Sequence, residues 1–220
     1  MTSPAPETRI YLIRHGSVDN PDDIAYGRLP IPLSAKGRQE ILDLCKVFET
    51  KGIKFDAIYT SPVARARQSA EIIKKRLRVE KLEVSEDLTD IGVGELEGGP
   101  MQIVRDANYI EENLREMGFE IETKREIAKR VSEIISDVVK SHQGKAVVLV
   151  SHGDVTRLGL WSCEFPDRVP PRNLRDEKYL AVAEAAVLKF GGDQFTSYEF
   201  IRRSAPGQIE TDNIRRTEAY

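Results

Sequence analysis

Short apolar runs alternate with longer amphipathic stretches along most of this 220-residue chain, and this alternation limits the folds open to it. A short apolar run followed by a helical pattern is typical of a buried strand and its crossover helix. Repeated in series, such units predict a parallel sheet with helices on both of its faces. We therefore expect an α/β fold, a three-layer α/β/α sandwich with a mainly parallel central sheet.

The predicted strands end at charged residues or at turn signals. They cover residues 9–13, 55–60, 82–84, 146–150, 185–190 and 194–201. The clearest helix signals are an N-cap at Ser34, the pair Ser61-Pro62 and an amphipathic stripe over 124–142. We expect residues 1–220 to form a single domain, with a cap-like insertion at about 98–123 and a loose polar C-terminal tail at about 205–220.

Basic residues follow three of the predicted strands directly. The groups are Arg14-His15-Gly16, Ser61-Pro62-Val63-Ala64-Arg65 and Ser151-His152-Gly153. Because ligands of parallel α/β sheets bind at the carboxyl ends of the strands, we expect all three groups at one edge. Two imidazoles and two guanidiniums would repel one another there unless an anion lay between them. Guanidiniums donate paired hydrogen bonds to phosphate, so the pattern predicts a site for a phosphoryl group.

Five segments of the chain match a known family in order and spacing. They are LIRHG (12–16), YGRLPIPLSAKG (26–37), FDAIYTSPVARARQSA (55–70), LTDIGVGELEG (88–98) and LVSHGDVTR (149–157). In these segments the chain resembles the histidine phosphatase superfamily, also called the phosphoglycerate mutase-like family. The resemblance extends over roughly residues 9–201 and implies a phosphoglycerate mutase-like fold.

The resemblance also implies roles for individual residues. His15 resembles the nucleophile that becomes phosphorylated, and Asp90 stands where the family usually carries its general acid, a glutamate. The residues that resemble the phosphate-binding clamp are Arg14, Arg65 and His152. Two glycines of the matching segments, Gly27 and Gly153, are further candidates for substrate binding.

The mechanism sets requirements on two pKa values. His15 attacks only when unprotonated, and we expect Arg14 and Arg65 to lower its pKa because like charges disfavour the imidazolium. Asp90 donates a proton only when protonated, and we expect burial and a bound phosphate to raise its pKa. Neutralisation of the phosphoryl charge by guanidiniums requires no metal, and we expect no cofactor.

The chain departs from the family pattern in two regions. Asp90 is one methylene shorter than glutamate, and Glu95 and Glu97 are nearby alternatives for the acid. A displacement of about 1 Å can cost roughly a hundredfold in rate, so the backbone must compensate or turnover is slow. In the loop after His15, the Glu-Thr that is common in the family is replaced by Ser17-Val18. The position where the family often has an asparagine holds Pro21, with Asn20 beside it.

Three functions remain open at this point. Mutases of the family carry a long basic and aromatic insertion, whereas residues 98–123 here are short and acidic, with Glu111, Glu112, Glu116, Glu120 and Glu122. We expect these acids to repel a second anion, or simply to face solvent. The favoured function is a metal-independent phosphomonoesterase that acts through phosphohistidine on a small phosphorylated metabolite. The alternatives are mutase-type phosphoryl transfer, and a weakly active or non-catalytic protein that binds a phosphorylated ligand.

Two segments are candidates for a cap over the pocket, with exposed surface loops as the alternative interpretation. The residues concerned are Met101, Arg105 and Tyr109 of the insertion, and Arg168, Arg172 and Arg175 of the loop 164–178.

Composition and charge exclude some classes of binding partner. The formal net charge is −3, so no strong positive field favours nucleic acid, and no apolar run has the length of a membrane span. The N-terminal residues show no secretion signal, and two widely separated cysteines suit reduced thiols, so we expect a cytoplasmic protein. We expect a small phosphorylated substrate, neither nucleic acid nor membrane as partner, and no metal site, and a homodimer is left open.

Overall fold

The computed structural model describes residues 6–205 and 208–215, with side chains at 6–202. The strands are β1 (Glu7–Arg14), β2 (Ala57–Thr60), β3 (Lys81–Val84), β4 (Ala146–Ser151), β5 (Ala185–Gly191), β6 (Gln194–Ala205) and β7 (Gln208–Arg215). The helices are α1 (Ala35–Thr50), α2 (Ala64–Leu77), α3 (Met101–Asp106), α4 (Glu111–Glu116), α5 (Lys124–Ser141) and α6 (Gly153–Glu164). Short 3₁₀ turns at Glu86–Leu88 and Gly94–Leu96 lie between β3 and α3.

The strands form one sheet in the order β3-β2-β4-β1-β5-β6-β7. The pairs from β3 to β1 are parallel, whereas β5, β6 and β7 extend the sheet through antiparallel pairs. A parallel strand covered on both faces must be apolar on both, and β4 fits because its residues from Val147 to Val150 are fully buried. The expected α/β fold is confirmed, with an antiparallel extension on one side.

Alternate residues of β1 separate the two faces of the sheet. Ile10 and Leu12 pack in a core cluster with residues of α5 and α6. Tyr11 and Ile13 pack in a second cluster with residues of α1 and α2. Because strand side chains point alternately to opposite faces, one sheet supports both helix layers and the sandwich has three layers.

Helix α2 begins later than the sequence predicts. The sequence favours Ser61 as N-cap and Pro62 as the first helical residue, but α2 begins at Ala64 with Val63 as an extended N-cap. The Ser61 hydroxyl instead accepts a hydrogen bond from the backbone N–H of Val63 at 3.2 Å. The turn after β2 is therefore longer than expected, and Ser61 is placed beside His152.

The expected loose tail is replaced in part by a strand. Residues Gln208–Arg215 form β7, which pairs antiparallel with β6 at the edge of the sheet. An edge strand pairs through its backbone and tolerates polar side chains, so its polar sequence did not indicate a strand. The remainder of the predicted tail, at 206–207 and 216–220, lies outside the described residues.

The insertion at 98–123 has a small core of its own. It contains the two short helices α3 and α4. Buried side chains from this region and from the turn before it form a third cluster: Val93, Leu96, Ala107, Leu114 and Ile121. Within the described part of the chain, no helix combines the length and hydropathy that crossing a bilayer requires.

Candidate active site

The ends of β1, β2 and β4 bring the three basic groups to one edge of the sheet. Arg14 is the register partner of Ser151, and the backbone N–H of His15 donates to the Ser151 carbonyl at 3.0 Å. The backbone N–H of Ser61 donates to the Val150 carbonyl at 3.0 Å. Parallel pairing therefore fixes the starting points of all three loops relative to one another.

The contacts of the His15 ring define its tautomer. Its Nδ1 lies 2.7 Å from the carbonyl oxygen of Gly16, and a carbonyl only accepts, so Nδ1 carries the proton. Nε of Arg65 lies 3.2 Å from Nε2 of His15, and a guanidinium only donates, so Nε2 carries a lone pair. The ring is thus neutral, with Nε2 as its basic and nucleophilic nitrogen.

The surroundings of His15 favour this neutral form. Burial is the main cause that lowers its pKa well below 6.5, and the nearby His152 and Arg65 lower it further. The two imidazole centroids are 5.2 Å apart. The lowered pKa expected from the sequence is confirmed, although burial contributes more than the arginines.

Arg65 is a fully buried cation with a partner for each of its nitrogens. Its Nη2 donates to the Gly27 carbonyl at 2.6 Å and to Oδ2 of Asp90 at 2.5 Å. Its Nη1 donates to the Leu29 carbonyl at 3.2 Å, and its Nε donates to His15. Such complete pairing is what keeps a buried charge tolerable, and it holds the guanidinium rigidly beside the nucleophile.

Asp90 meets both Arg65 and His152. Its Oδ2 lies 3.2 Å from Nδ1 of His152, whose Nε2 lies 2.9 Å from the Ser61 hydroxyl. Burial by itself would raise the pKa of Asp90, but His152 and Arg65 hold it well below its usual range. The raised pKa expected from the sequence is therefore wrong for this set of contacts, because the interactions with His152 and Arg65 outweigh burial.

Two arginines position the backbone around Asp90. Nη1 of Arg130 donates to the Thr89 carbonyl at 2.9 Å, and Nε of Arg28 donates to the Asp90 carbonyl at 2.9 Å. Glu122 accepts hydrogen bonds from both guanidiniums. The roles of Arg28 and Arg130 were not predicted, because their partners are distant in sequence and produce no local pattern.

The alternative acids lie in less suitable places. Glu95 is exposed, and Glu97 accepts a hydrogen bond from the backbone N–H of Arg28 at 2.5 Å. Neither lines the cavity in front of His15, whereas Asp90 does. The geometry therefore favours Asp90 among the three.

At both candidate glycines a neighbouring side chain lies close to the backbone. Gly27 has φ +37°, and a Cβ there would lie 2.6 Å from the Val93 side chain. A Cβ on Gly153 would lie 2.1 Å from the hydroxyl oxygen of Tyr179. Gly27 thus keeps its carbonyl on Arg65, and Gly153 makes room for Tyr179 at the cavity wall.

The altered loop after His15 lines the same cavity with Ser17, Val18 and Asn20. The Asn20 amide donates to the Ile24 carbonyl at 2.9 Å and accepts from the Ile24 N–H at 3.2 Å. The side chain therefore closes the loop.

A cavity of about 440 Å³ lies in front of His15, within the range of small-molecule sites. We call Arg14, His15, Arg65, Asp90 and His152 the clamp, and residues 98–123 and 165–184 the roof. Of the predicted cap residues, Met101, Arg105, Tyr109 and Arg175 line the cavity, whereas Arg168 and Arg172 do not.

The acidic residues of the insertion are largely neutralised. Glu112 pairs with Lys124 at 2.8 Å, and Glu111 lies 4.0 Å from the same ammonium group. Glu122 pairs with Arg28 and Arg130. Two others, Glu116 and Glu120, are exposed. The ion pairs therefore give little support to the expected repulsion of a second anion. The alternative, that the acids face solvent, holds for Glu116 and Glu120 only.

Known proteins resemble this chain over most of its length. The histidine phosphatase superfamily (branch 1) matches residues 10–200. The uncharacterized phosphatase PhoE of Bacillus subtilis is 31% identical over 147 residues, covering 66% of this chain and 72% of PhoE. A broad-specificity phosphatase of Saccharomyces cerevisiae is 27% identical over 160 residues, covering 68% and 67% respectively. The structure of Bacillus stearothermophilus YhfR matches with TM-score 0.71 and 27% identity, covering 86% of this chain and 94% of that one.

The family match covers the whole of the site. Residues 10–200 contain every member of the clamp and both parts of the roof. The expected phosphoglycerate mutase-like fold and the expected enzyme class, a histidine phosphatase, are confirmed. The chain belongs to the histidine phosphatase superfamily, branch 1.

Proposed function

We propose that this protein hydrolyses phosphomonoesters of small metabolites through a phosphohistidine at His15, without a metal. One observation carries the proposal: a buried neutral imidazole presents a lone pair on Nε2 among Arg14, Arg65 and His152. An unprotonated nitrogen beside fixed hydrogen-bond donors, two of them guanidiniums, is the combination that phosphoryl transfer requires.

In the first step, Nε2 of His15 attacks phosphorus as the bond to the ester oxygen breaks. Arg14 and Arg65 neutralise the charge on the phosphoryl oxygens, and His152 donates a hydrogen bond to the same group. The alcohol leaves with a proton from Asp90. In the second step a water attacks the phosphohistidine, Asp90 takes a proton from that water, and His15 is regenerated with release of phosphate.

Asp90 must gain a proton before it can donate one. Its pKa is low because Arg65 and His152 face it. A bound phosphoryl group brings negative charge to the same two residues, which weakens their hold on the carboxylate and raises its pKa. Substrate binding is thus accompanied by proton uptake at Asp90, which calorimetry in buffers of different ionisation enthalpy would measure.

Two of the relatives favour hydrolysis over mutase chemistry, whereas others are named phosphoglycerate mutases, and the cavity is compatible with hydrolysis. The relatives from Bacillus subtilis and Saccharomyces cerevisiae are both named phosphatases. A cavity of about 440 Å³ admits a small metabolite together with water.

A panel of phosphorylated metabolites, assayed for phosphate release by the wild type and by His15→Ala, tests the proposal. With 3-phosphoglycerate the assay also follows 2-phosphoglycerate. Phosphate release that depends on His15 is expected. Isomerisation in place of release would instead support mutase activity, and tight binding with neither reaction would support a binding protein.

A further inference from the structure

Arg175 occupies an unusual position in the roof. Its Cζ lies 4.5 Å from the ring centroid of Tyr109 and 4.4 Å from that of Tyr179. Tyr109 belongs to the insertion, whereas Arg175 and Tyr179 belong to the loop 165–184, so the contact joins the two parts of the roof. All three residues line the cavity in front of His15. Ring contacts restrict the guanidinium while leaving its N–H edge available to a ligand.

The surrounding contacts hold this group in place. Arg157, which is 2% exposed, donates two hydrogen bonds to Asp176, at 2.8 and 2.5 Å, and so fastens the chain next to Arg175. The Tyr179 hydroxyl donates to Asp154 at 2.8 Å. Tyr109 has φ +57°, a conformation that costs free energy in a residue with a bulky side chain. The loop is therefore preorganised before any ligand binds.

The charges around the cavity differ in how they are satisfied. The carboxylates lining the cavity already have donors or a nearby cation: Asp23 has Arg105, Asp90 has Arg65, Asp154 has Tyr179, and Glu111 has Lys124. The Arg175 guanidinium makes ring contacts only, and it has no ion pair or hydrogen bond with any other side chain that the structure describes. Outside the clamp, Arg175 is therefore a cavity-lining cation whose guanidinium donors are unused.

Arg175 lies near the clamp, because Tyr179 contacts both Arg175 and Arg14. The Tyr179 ring centroid lies 5.3 Å from Cζ of Arg14 and 4.4 Å from Cζ of Arg175. The guanidiniums of Arg14 and Arg175 therefore lie against the same tyrosine ring. A small molecule with an anionic group at each end has a suitable length for both.

We propose that Arg175 binds a second anionic group, a carboxylate or a phosphate, on the alcohol part of the substrate. The inference rests on the proposed function, because it presumes that the clamp takes the phosphoryl group that is transferred. Planar, paired donation by a guanidinium fits both anions. The enzyme then selects doubly anionic phosphomonoesters over esters of neutral alcohols.

Matched substrate pairs test this selection with the full-length protein. The carboxylate pair is 3-phosphoglycerate and glycerol 3-phosphate, and the phosphate pair is fructose 1,6-bisphosphate and fructose 6-phosphate. For at least one pair, the wild type should prefer the doubly anionic member in kcat/KM. Arg175→Ala should reduce that preference ratio about ten- to a hundredfold, the usual effect of removing a charge-assisted hydrogen bond. Arg175→Lys should retain part of the preference.

The matched control is Arg168→Ala, from the same loop. Arg168 is exposed, lies against Phe165 at 5.2 Å and does not line the cavity, so its removal should leave the preference ratio unchanged. The inference is overturned if the wild type shows no preference in either pair, or if Arg175→Ala and Arg168→Ala have the same ratio as the wild type.

Failure of the proposed function gives a different result. In that case the wild type releases no phosphate from any ester, including p-nitrophenyl phosphate. Calorimetric titration of the same substrate pairs into the unreactive protein then measures the subsite directly. An affinity preference for the doubly anionic member that Arg175→Ala removes would support the subsite, and equal affinities would reject it.

Discussion

The clamp and the roof meet at the same cavity, which Arg14, His15 and Asp90 line on the clamp's side, but they are held by different interactions. Arg65 and His152 are 0% and 1% exposed, and they project from elements packed against the central sheet. In the roof, the insertion 98–123 has a small separate cluster around Leu114 and a set of polar contacts, whereas the loop 165–184 reaches the main core through Leu174 and Leu180. Among the polar contacts, Nζ of Lys124 donates to Glu112 and to the Arg172 carbonyl, which joins the insertion to the loop.

This difference teaches where chemistry and selectivity reside in the molecule. A rigid clamp with a buried nucleophile suits a reaction whose geometry must be kept within fractions of an ångström. The insertion 98–123, with its small separate core, opens at a lower free-energy cost, and loops over a cavity are suited to selecting the alcohol part of the substrate. Changes in the clamp should therefore alter the chemical step, and changes in the roof should alter binding.

Removing the nucleophile should have the largest effect. His15→Ala should lower kcat on every phosphomonoester by about 10⁴- to 10⁶-fold, because no other group can take its place. His142→Ala is the matched control, since His142 is also buried but packs against Tyr59 away from the cavity. Steady-state kinetics and circular dichroism of both variants check the prediction, and comparable losses in the two would contradict it.

Replacing the acid should give a loss that depends on the leaving group. Asp90→Asn should lower kcat on alkyl phosphates by about 10²- to 10⁴-fold, because an alkoxide needs the proton. The loss on p-nitrophenyl phosphate should be much smaller, since nitrophenolate leaves without one. Glu97→Gln tests the alternative acid and should show no such selectivity. Equal losses on both ester types in Asp90→Asn would be evidence against its role as an acid.

The lowered pKa of His15 should be visible in its titration. Because burial holds this pKa well below 6.5, the ring stays neutral and nucleophilic as the pH falls through 6.5 and is protonated only in more acidic solution. The lowered pKa also makes the free energy of unfolding depend on pH. The unfolded chain binds the proton first, so stability is lost as the pH falls below about 6.5. NMR titration, assigned with His15→Ala, measures the pKa, and a value of 6.5 or higher would contradict the account.

Weakening the small core of the roof should have the mildest effect on catalysis. Leu114 is 5% exposed, and Leu114→Ala should cost about 2–5 kcal/mol of local stability. Amide exchange across 98–123 should accelerate and KM should rise, with kcat changed little. Met117→Ala, at a position that is 52% exposed, is the control. A large fall in kcat without faster exchange would break the distinction between the roof and the clamp.

Much of the architecture and of the clamp follows from local sequence patterns. Apolar runs predicted the strands, and the rule that ligands bind at strand ends predicted that His15, Arg65 and His152 meet. Ser34 is the N-cap of α1, as predicted, and its side chain accepts from the N–H of Gly37. These features depend on neighbouring residues or on the direction of strands, which a single sequence contains.

Other features depend on pairs that no local pattern reports. Arg130 reaches the loop at Asp90, and Arg175 meets Tyr109, across long stretches of chain. The low pKa of Asp90 was missed for the same reason, because it reflects three residues from three separate segments. Strand β7 was missed because edge pairing uses the backbone, to which side-chain polarity is no guide.

The most direct test of the clamp is to look for its covalent product. The wild type, mixed with p-nitrophenyl phosphate and quenched rapidly at alkaline pH, should gain the mass of one phosphoryl group. Peptide mapping should place that group on His15, and His15→Ala should show no gain while His142→Ala keeps it. Turnover with the phosphoryl group on another residue, or with no adduct under single-turnover conditions, would contradict the account.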